Sequence, residues 1–212
     1  MKQSLIGLLA VIGFFALACG FLDSEAATVT YERAIPVDFE VDANELCPTD
    51  ADCEEDTVDA QEEVELLAIE IPVDIDILES TGSGDLQNIS QRLRSLEITS
   101  IDYEVSDNSL TFDLPDVEVH VAPLGTRDAD DPETVHLTTI PSVPAQTDDA
   151  GNAPAREQAL EPASELFKEL QYTAIAGATP VVKEGQPFPP SGTSDVELVI
   201  NIKITANPLD DI

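Results

Sequence analysis

Apolar and polar residues alternate through residues 28–42. Val29, Tyr31, Ile35, Val37, Phe39 and Val41 fall on one side, with Thr30, Glu32, Asp38, Glu40 and Asp42 on the other. Residues 67–77 repeat the pattern, with Leu67, Ile69, Ile71, Val73, Ile75 and Ile77 set against Glu70, Asp74 and Asp76. A period of two with a polar opposite face predicts half-buried antiparallel strands. Both carry the string Ile-Pro-Val-Asp, and Pro36 and Pro72, which lack a ladder donor, place these strands at an edge or bulge. Direct pairing of the two would set Asp38, Glu40 and Asp42 against Glu70, Asp74 and Asp76, which like-charge repulsion disfavours.

Between 95 and 122 the phase flips twice. Leu96 and Ile98 are followed by Ile101, Tyr103 and Val105, and Leu110, Phe112 and Leu114 by Val117, Val119 and Val121. A two-residue turn at Asp107-Asn108 would pair Val105 with Leu110, Tyr103 with Phe112 and Leu96 with Val119. Both flips would then lie on one rung, which predicts a long kinked hairpin.

Another strand is predicted over 195–205, with Val196, Leu198, Ile200, Ile202 and Ile204 inward, and a shorter one near 134–140. Two helices are expected. Residues 85–95 place Leu86, Ile89 and Leu93 at helical spacing behind Asp85, and residues 162–174 start at Pro162 and group Leu166, Phe167 and Leu170. The Pro, Gly and Asp of 126–133, 141–156 and 177–193 read as loops. The expected fold is mainly β, an antiparallel β-sandwich or barrel-like domain with two short helices. It would span 28–207 as one domain, with an acidic loop at 43–63 and a tail at 208–212.

Composition narrows the function. Hydrophobic residues make up 42% of the 212, enough for a core, and the absence of Trp leaves that core to Val, Ile and Leu. The chain has 43 acids against 9 bases, and no Lys or Arg occurs between Ala34 and Gln91. Such a surface repels nucleic acid and anionic lipid headgroups, so no nucleic-acid partner is expected. The acidity fits solubility in a salty medium, weak divalent-cation binding or a basic partner.

The N-terminus predicts export. Met1-Lys2 is followed by an uncharged, apolar or small run from Leu5 to Leu22, and small residues at Ala16 and Ala18 precede Cys19. Residues 1–18 therefore read as a signal peptide and 19–27 as a tether. Ala16-Leu17-Ala18-Cys19-Gly20 resembles the lipobox of bacterial lipoproteins, although that family usually has Leu where Ala16 stands and a small residue where Leu17 stands. The resemblance implies acylation of Cys19, attachment of the mature chain to a membrane, and a place at the outer membrane or extracellular side of the envelope. Several acyl chains hold a protein stably where one does not. Ordinary signal-peptidase cleavage would instead leave a secreted or periplasmic soluble protein.

Cys47 and Cys53 remain, and in an exported chain they most simply form a disulfide. Their spacing suits neither a zinc site nor a Cys-x-x-Cys redox pair. Through the same loop Asp50, Asp52, Glu54 and Asp56 alternate oxygen donors and are the candidate calcium ligands. An EF-hand would need Gly where Glu55 stands and Glu where Gln61 stands. The two histidines, His120 and His136, each alternate with apolar neighbours and are expected on the polar faces of their strands. No nucleophile elbow, zincin, dinucleotide or P-loop motif occurs. The sequence thus predicts an exported, lipid-anchored, non-catalytic module for structure, adhesion or binding of an unknown protein or ligand partner, with no cofactor beyond calcium. Its alternatives are a carrier of apolar ligand or lipid, which needs a large apolar pocket, and a hydrolase, which needs a histidine beside a Ser or carboxylate in a cleft.

Overall fold

The structure is a computed structural model and describes residues 29–48, 57–81 and 93–206. Among the described residues the strands are β1 (Val29–Asp42), β2 (Val58–Asp59), β3 (Val64–Glu65), β4 (Ile69–Asp76), β5 (Leu93–Ser106), β6 (Val117–Pro123), β7 (Val135–Ile140), β8 (Asp149–Asn152), β9 (Gln171–Ala178), β10 (Val181–Val182), β11 (Pro187–Phe188) and β12 (Thr193–Ala206). Helix α1 is the short Ile77–Thr81, and α2 is Leu160–Lys168.

Two four-stranded antiparallel sheets contain the long strands. The first runs β1-β12-β5-β8 and the second β4-β9-β6-β7. Taken along the chain, β1 pairs with β12, β2 with β11, β3 with β10, β4 with β9, β5 with β8 and β6 with β7. These are the rungs of one long antiparallel ribbon, folded at the β6–β7 turn and rolled up. Rolling adds the pairs β12–β5 and β6–β9, which close the ribbon into two sheets. This is the jelly-roll topology, and the mainly β sandwich predicted from the sequence is the observed class.

The inward faces of β1 from Ile35 onward and of β12 follow the predicted alternation, whereas Val29 and Leu67, expected inward, are exposed. Ile35, Val37, Phe39 and Val41 of β1 are buried, as are Val196, Leu198, Ile200, Ile202 and Ile204 of β12. Strands β1 and β4, which share Ile-Pro-Val-Asp, are each the outermost strand of a sheet, where proline costs no ladder bond. They lie in opposite sheets, which avoids the repulsion that pairing them would create.

The kinked hairpin does not form. Strand β5 lies in the first sheet against β12 and β8, whereas β6 lies in the second, so no ladder joins Leu96 to Val119. The phase flip was real but had another partner. Asn201 pairs with Ser100 and Ile202 with Ile98, so Thr99 bulges out of β5, and Leu96 and Ile101 both point inward. The second flip marks where the chain leaves one sheet for the other. Leu110, Phe112 and Leu114 are wholly buried there outside any long strand.

Helix α2 ends at Lys168, six residues short of the expected end, because 171–178 is β9. Ala163 and Phe167 are its buried face, and Phe167 packs on Tyr172 with ring centroids 4.4 Å apart. The other expected helix, 85–95, falls largely outside the described residues, and its last residues, 93–95, belong to β5. The loop reading of 141–156 missed β8, and that of 177–193 missed the end of β9 together with β10 and β11.

Candidate functional site: a histidine pair on the second sheet

The outward face of the second sheet is built from cross-strand rows. One row is Pro72, Ile175, His120 and His136; the next is Glu70, Gly177 and Glu118. In a strand, residues two apart share a face, so Glu118 and His120 stand side by side. Their groups meet at 3.3 Å between Glu118 Oε2 and His120 Nε2.

His136 reaches the same place through an irregularity. Val119 pairs with Thr138 and His120 with His136, so Leu137 is an extra residue in β7. Without that bulge, His120 would face Leu137 and the imidazoles would lie on opposite faces. With it, the two rings stack, centroids 4.6 Å apart and planes within 8°. The backbone N–H of Arg156 donates to the Leu137 carbonyl at 2.9 Å, which brings the Arg156 guanidinium to Nδ1 of His136.

The partners of His136 settle its tautomer. Nε2 lies 3.0 Å from the Thr138 carbonyl oxygen, which can only accept, so Nε2 carries the proton. Nδ1 accepts from Arg156. Burial pushes the pKa of His136 below its ordinary value, the nearby His120 and Arg156 push the same way, and Glu118 opposes them. The ring is held neutral.

A cleft of about 330 Å³ adjoins this cluster. Glu118 and His120 line it together with Glu70, Asp116 and Asp130, and Gly177 forms part of its floor. One wall is the β6–β7 loop, 124–134. Arg127 pins that loop by a bidentate pair to Asp74 at 2.6 Å for both bonds. Thr173 Oγ1 donates to Asp74 at 2.7 Å and accepts from Gly125 N–H at 2.9 Å. Hydrogen bonds from Arg127 and then Thr173 hold the Asp74 carboxyl well below the usual carboxylate range.

Glu118, His120 and His136 each offer one donor atom, all within 4.8 Å of one another, and form the candidate metal-ligand set among the described residues. The sequence placed both histidines on polar faces but did not bring them together. Glu118-x-His120 was the legible half of the signal; the Leu137 bulge was not legible. The candidate calcium ligands Asp50, Asp52, Glu54 and Asp56 lie outside the described residues, as do Cys53 and the acylation candidate Cys19. Cys47 is disulfide-bonded.

No protein-family model and no curated protein matches the chain. Among solved structures it is similar to the BFDV capsid protein of a decameric assembly, at 6% identity and a TM-score of 0.35, covering 83% of this chain and 99% of that one. It is also similar to a chain of Mud crab tombus-like virus, at 11% identity and a TM-score of 0.35, covering 98% and 92%. A chain of Desmodium yellow mottle tymovirus gives 12% and 0.27, covering 97% and 96%. The jelly-roll assignment rests on the strand pairing, and these distant likenesses add no argument to it.

Proposed function

We propose that the chain is an exported, non-catalytic jelly-roll module, tethered to a membrane through an acylated Cys19 and presenting its outer faces to a protein or ligand partner. The observation that carries the non-catalytic part is the state of the histidines. His136 donates from Nε2 to the Thr138 carbonyl, also stands 3.1 Å from Thr139 Oγ1, and accepts at Nδ1 from Arg156. The nitrogen nearest Thr139 is Nε2, which carries the ring proton, so the ring takes no proton from that hydroxyl. His120 faces the Glu118 carboxylate, as a hydrolase would want, but among the described residues no hydroxyl is hydrogen-bonded to His120.

A carrier would need its space between the sheets. There the inward residues Val37, Leu198, Ile200, Val119 and Leu137 are buried, and the described clefts of about 200–480 Å³ open outward. Export is supported by the leader and by the Cys47 disulfide, which suits an oxidising compartment. Among the described residues no helix is long and apolar enough to cross a membrane.

Mass spectrometry of the mature N-terminus, with fractionation of the producing cells, tests it. The expected product begins at an acylated Cys19 and sediments with membranes. A soluble product with an unmodified N-terminus would remove the tether and leave a secreted module.

A further inference from the structure

We propose that Glu118, His120 and His136 bind a divalent transition-metal ion of the zinc and copper(II) class on the outward face of the second sheet. Four observations converge. The three donors already lie within 4.8 Å of one another. Two imidazoles and one carboxylate are a borderline ligand set, which favours zinc, copper or nickel over calcium. The cleft beside them is lined by Glu70, Asp116 and Asp130, whose charge attracts a cation, and Gly177 sends no side chain into it. Finally, His136 donates its Nε2–H to the Thr138 carbonyl, the bond by which a ligating histidine is usually oriented, leaving Nδ1 to face a cation.

A cation is there now. The Arg156 guanidinium donates to Nδ1 of His136, and Arg156 is exposed, so it can swing into solvent and yield that lone pair to an ion. Tetrahedral zinc sets its donors about 3.4 Å apart, given metal–ligand distances near 2.0–2.2 Å. Glu118 and His120 meet that spacing at 3.3 Å. Parallel stacked rings aim their in-plane lone pairs in parallel, so one imidazole must turn on binding and the stack must open. The fourth position would face the cleft.

The test is calorimetric titration of the exported chain with zinc at physiological salt and excess calcium, which occupies the non-specific acidic surface. Cys19→Ser is included so that the chain is titrated with neither an acyl chain nor a thiol at that position. One ion per chain is expected, with affinity falling roughly tenfold or more in His120→Ala and in His136→Ala, and less in Glu118→Gln. Arg156→Ala should bind zinc several-fold more tightly, a gain that a misfolded variant cannot imitate. Near-ultraviolet and thermal melts confirm folding of each variant. Zinc binding that survives removal of both histidines, that calcium abolishes, or that Arg156→Ala weakens would overturn the site.

Discussion

The two sheets share a core but turn different faces to solvent. On the first sheet, Asp38, Glu197 and Glu104 stand abreast on β1, β12 and β5, and Glu40 lies opposite Asp195 in the adjacent row. All five are exposed. Like charges placed directly opposite one another destabilise a sheet. Only the row Glu32, Lys203, Glu97 puts a base between acids. On the second sheet the same kind of surface carries a second layer. The 124–134 loop is pinned by Asp74, Arg127 and Thr173, the imidazoles stack, and Ile175 is fully buried although it is not part of the inter-sheet core. The acidic rows of the first face rely on hydration and screening, with Asn201 donating to Ser100 and Asp102 beside them; the second face adds a loop pinned by an ion pair and a stacked imidazole pair. Net acidity alone does not distinguish them.

The largest expected effect attacks that second layer. Ile175→Ala should cost about 2–4 kcal/mol, as for a core aliphatic, because the residue, beside His120 in its row, is 0% exposed. Val199→Ala, the half-buried outward residue at the centre of the first sheet, should cost less than about 1 kcal/mol. Urea unfolding of both variants measures the gap. Equal costs would mean that the second sheet has no outer packing layer.

Thr173→Val comes next. It keeps the shape of a fully buried side chain while deleting the hydroxyl that joins Asp74 to the Gly125 amide. The loss should be about 1–2 kcal/mol, since both partners lose a bond. It should also raise hydrogen exchange at Gly125 and Thr126 ahead of global unfolding. Protection unchanged at those amides would show that the loop is held some other way.

Which parts of this contrast could be read from the sequence follows from what periodicity encodes. Alternation tells which side chains share a face, so the buried sets of β1 and β12 and the phase flip near Ser100 were visible. It does not tell which strand lies alongside. The nearest partner for 95–106 in sequence was 109–122, but the rolled ribbon pairs β5 with β12, about a hundred residues away. Strand β9 was hidden for a different reason. It is central in its sheet, and Tyr172 through Ala176 are buried on both faces, so no polar alternation survives. The histidine site depends on two further facts that alternation does not carry, the β6–β7 pairing and the extra residue at Leu137.

A smaller effect tests the repulsive face. Glu197→Lys turns two like-charge contacts, with Asp38 and Glu104, into two attractive ones. Stability should rise by about 1 kcal/mol at low ionic strength, and the gain should shrink as salt is added. The parent chain should itself become more stable with sodium chloride, more steeply than the variant. A parent melting temperature indifferent to salt would mean that these rows are too well hydrated to repel.

The smallest effect is a pH dependence confined to the pinned face. Asp74 is ionised more readily in the folded chain than in the unfolded one, because Arg127 and Thr173 donate to it. A carboxyl whose folded pKa is depressed adds stability above its unfolded value, near 3.9, and loses that stability as pH falls through the folded value. Comparing the parent with Asp74→Asn should therefore show a difference at pH 7 that fades below about pH 4. The Asp74 side chain is 43% exposed, so solvent screening limits the difference to a few tenths of a kcal/mol. The sign is the discriminating feature. If the difference instead grew on acidification, Asp74 would be a source of repulsion within a crowded acidic surface, and the second face would differ from the first only in degree.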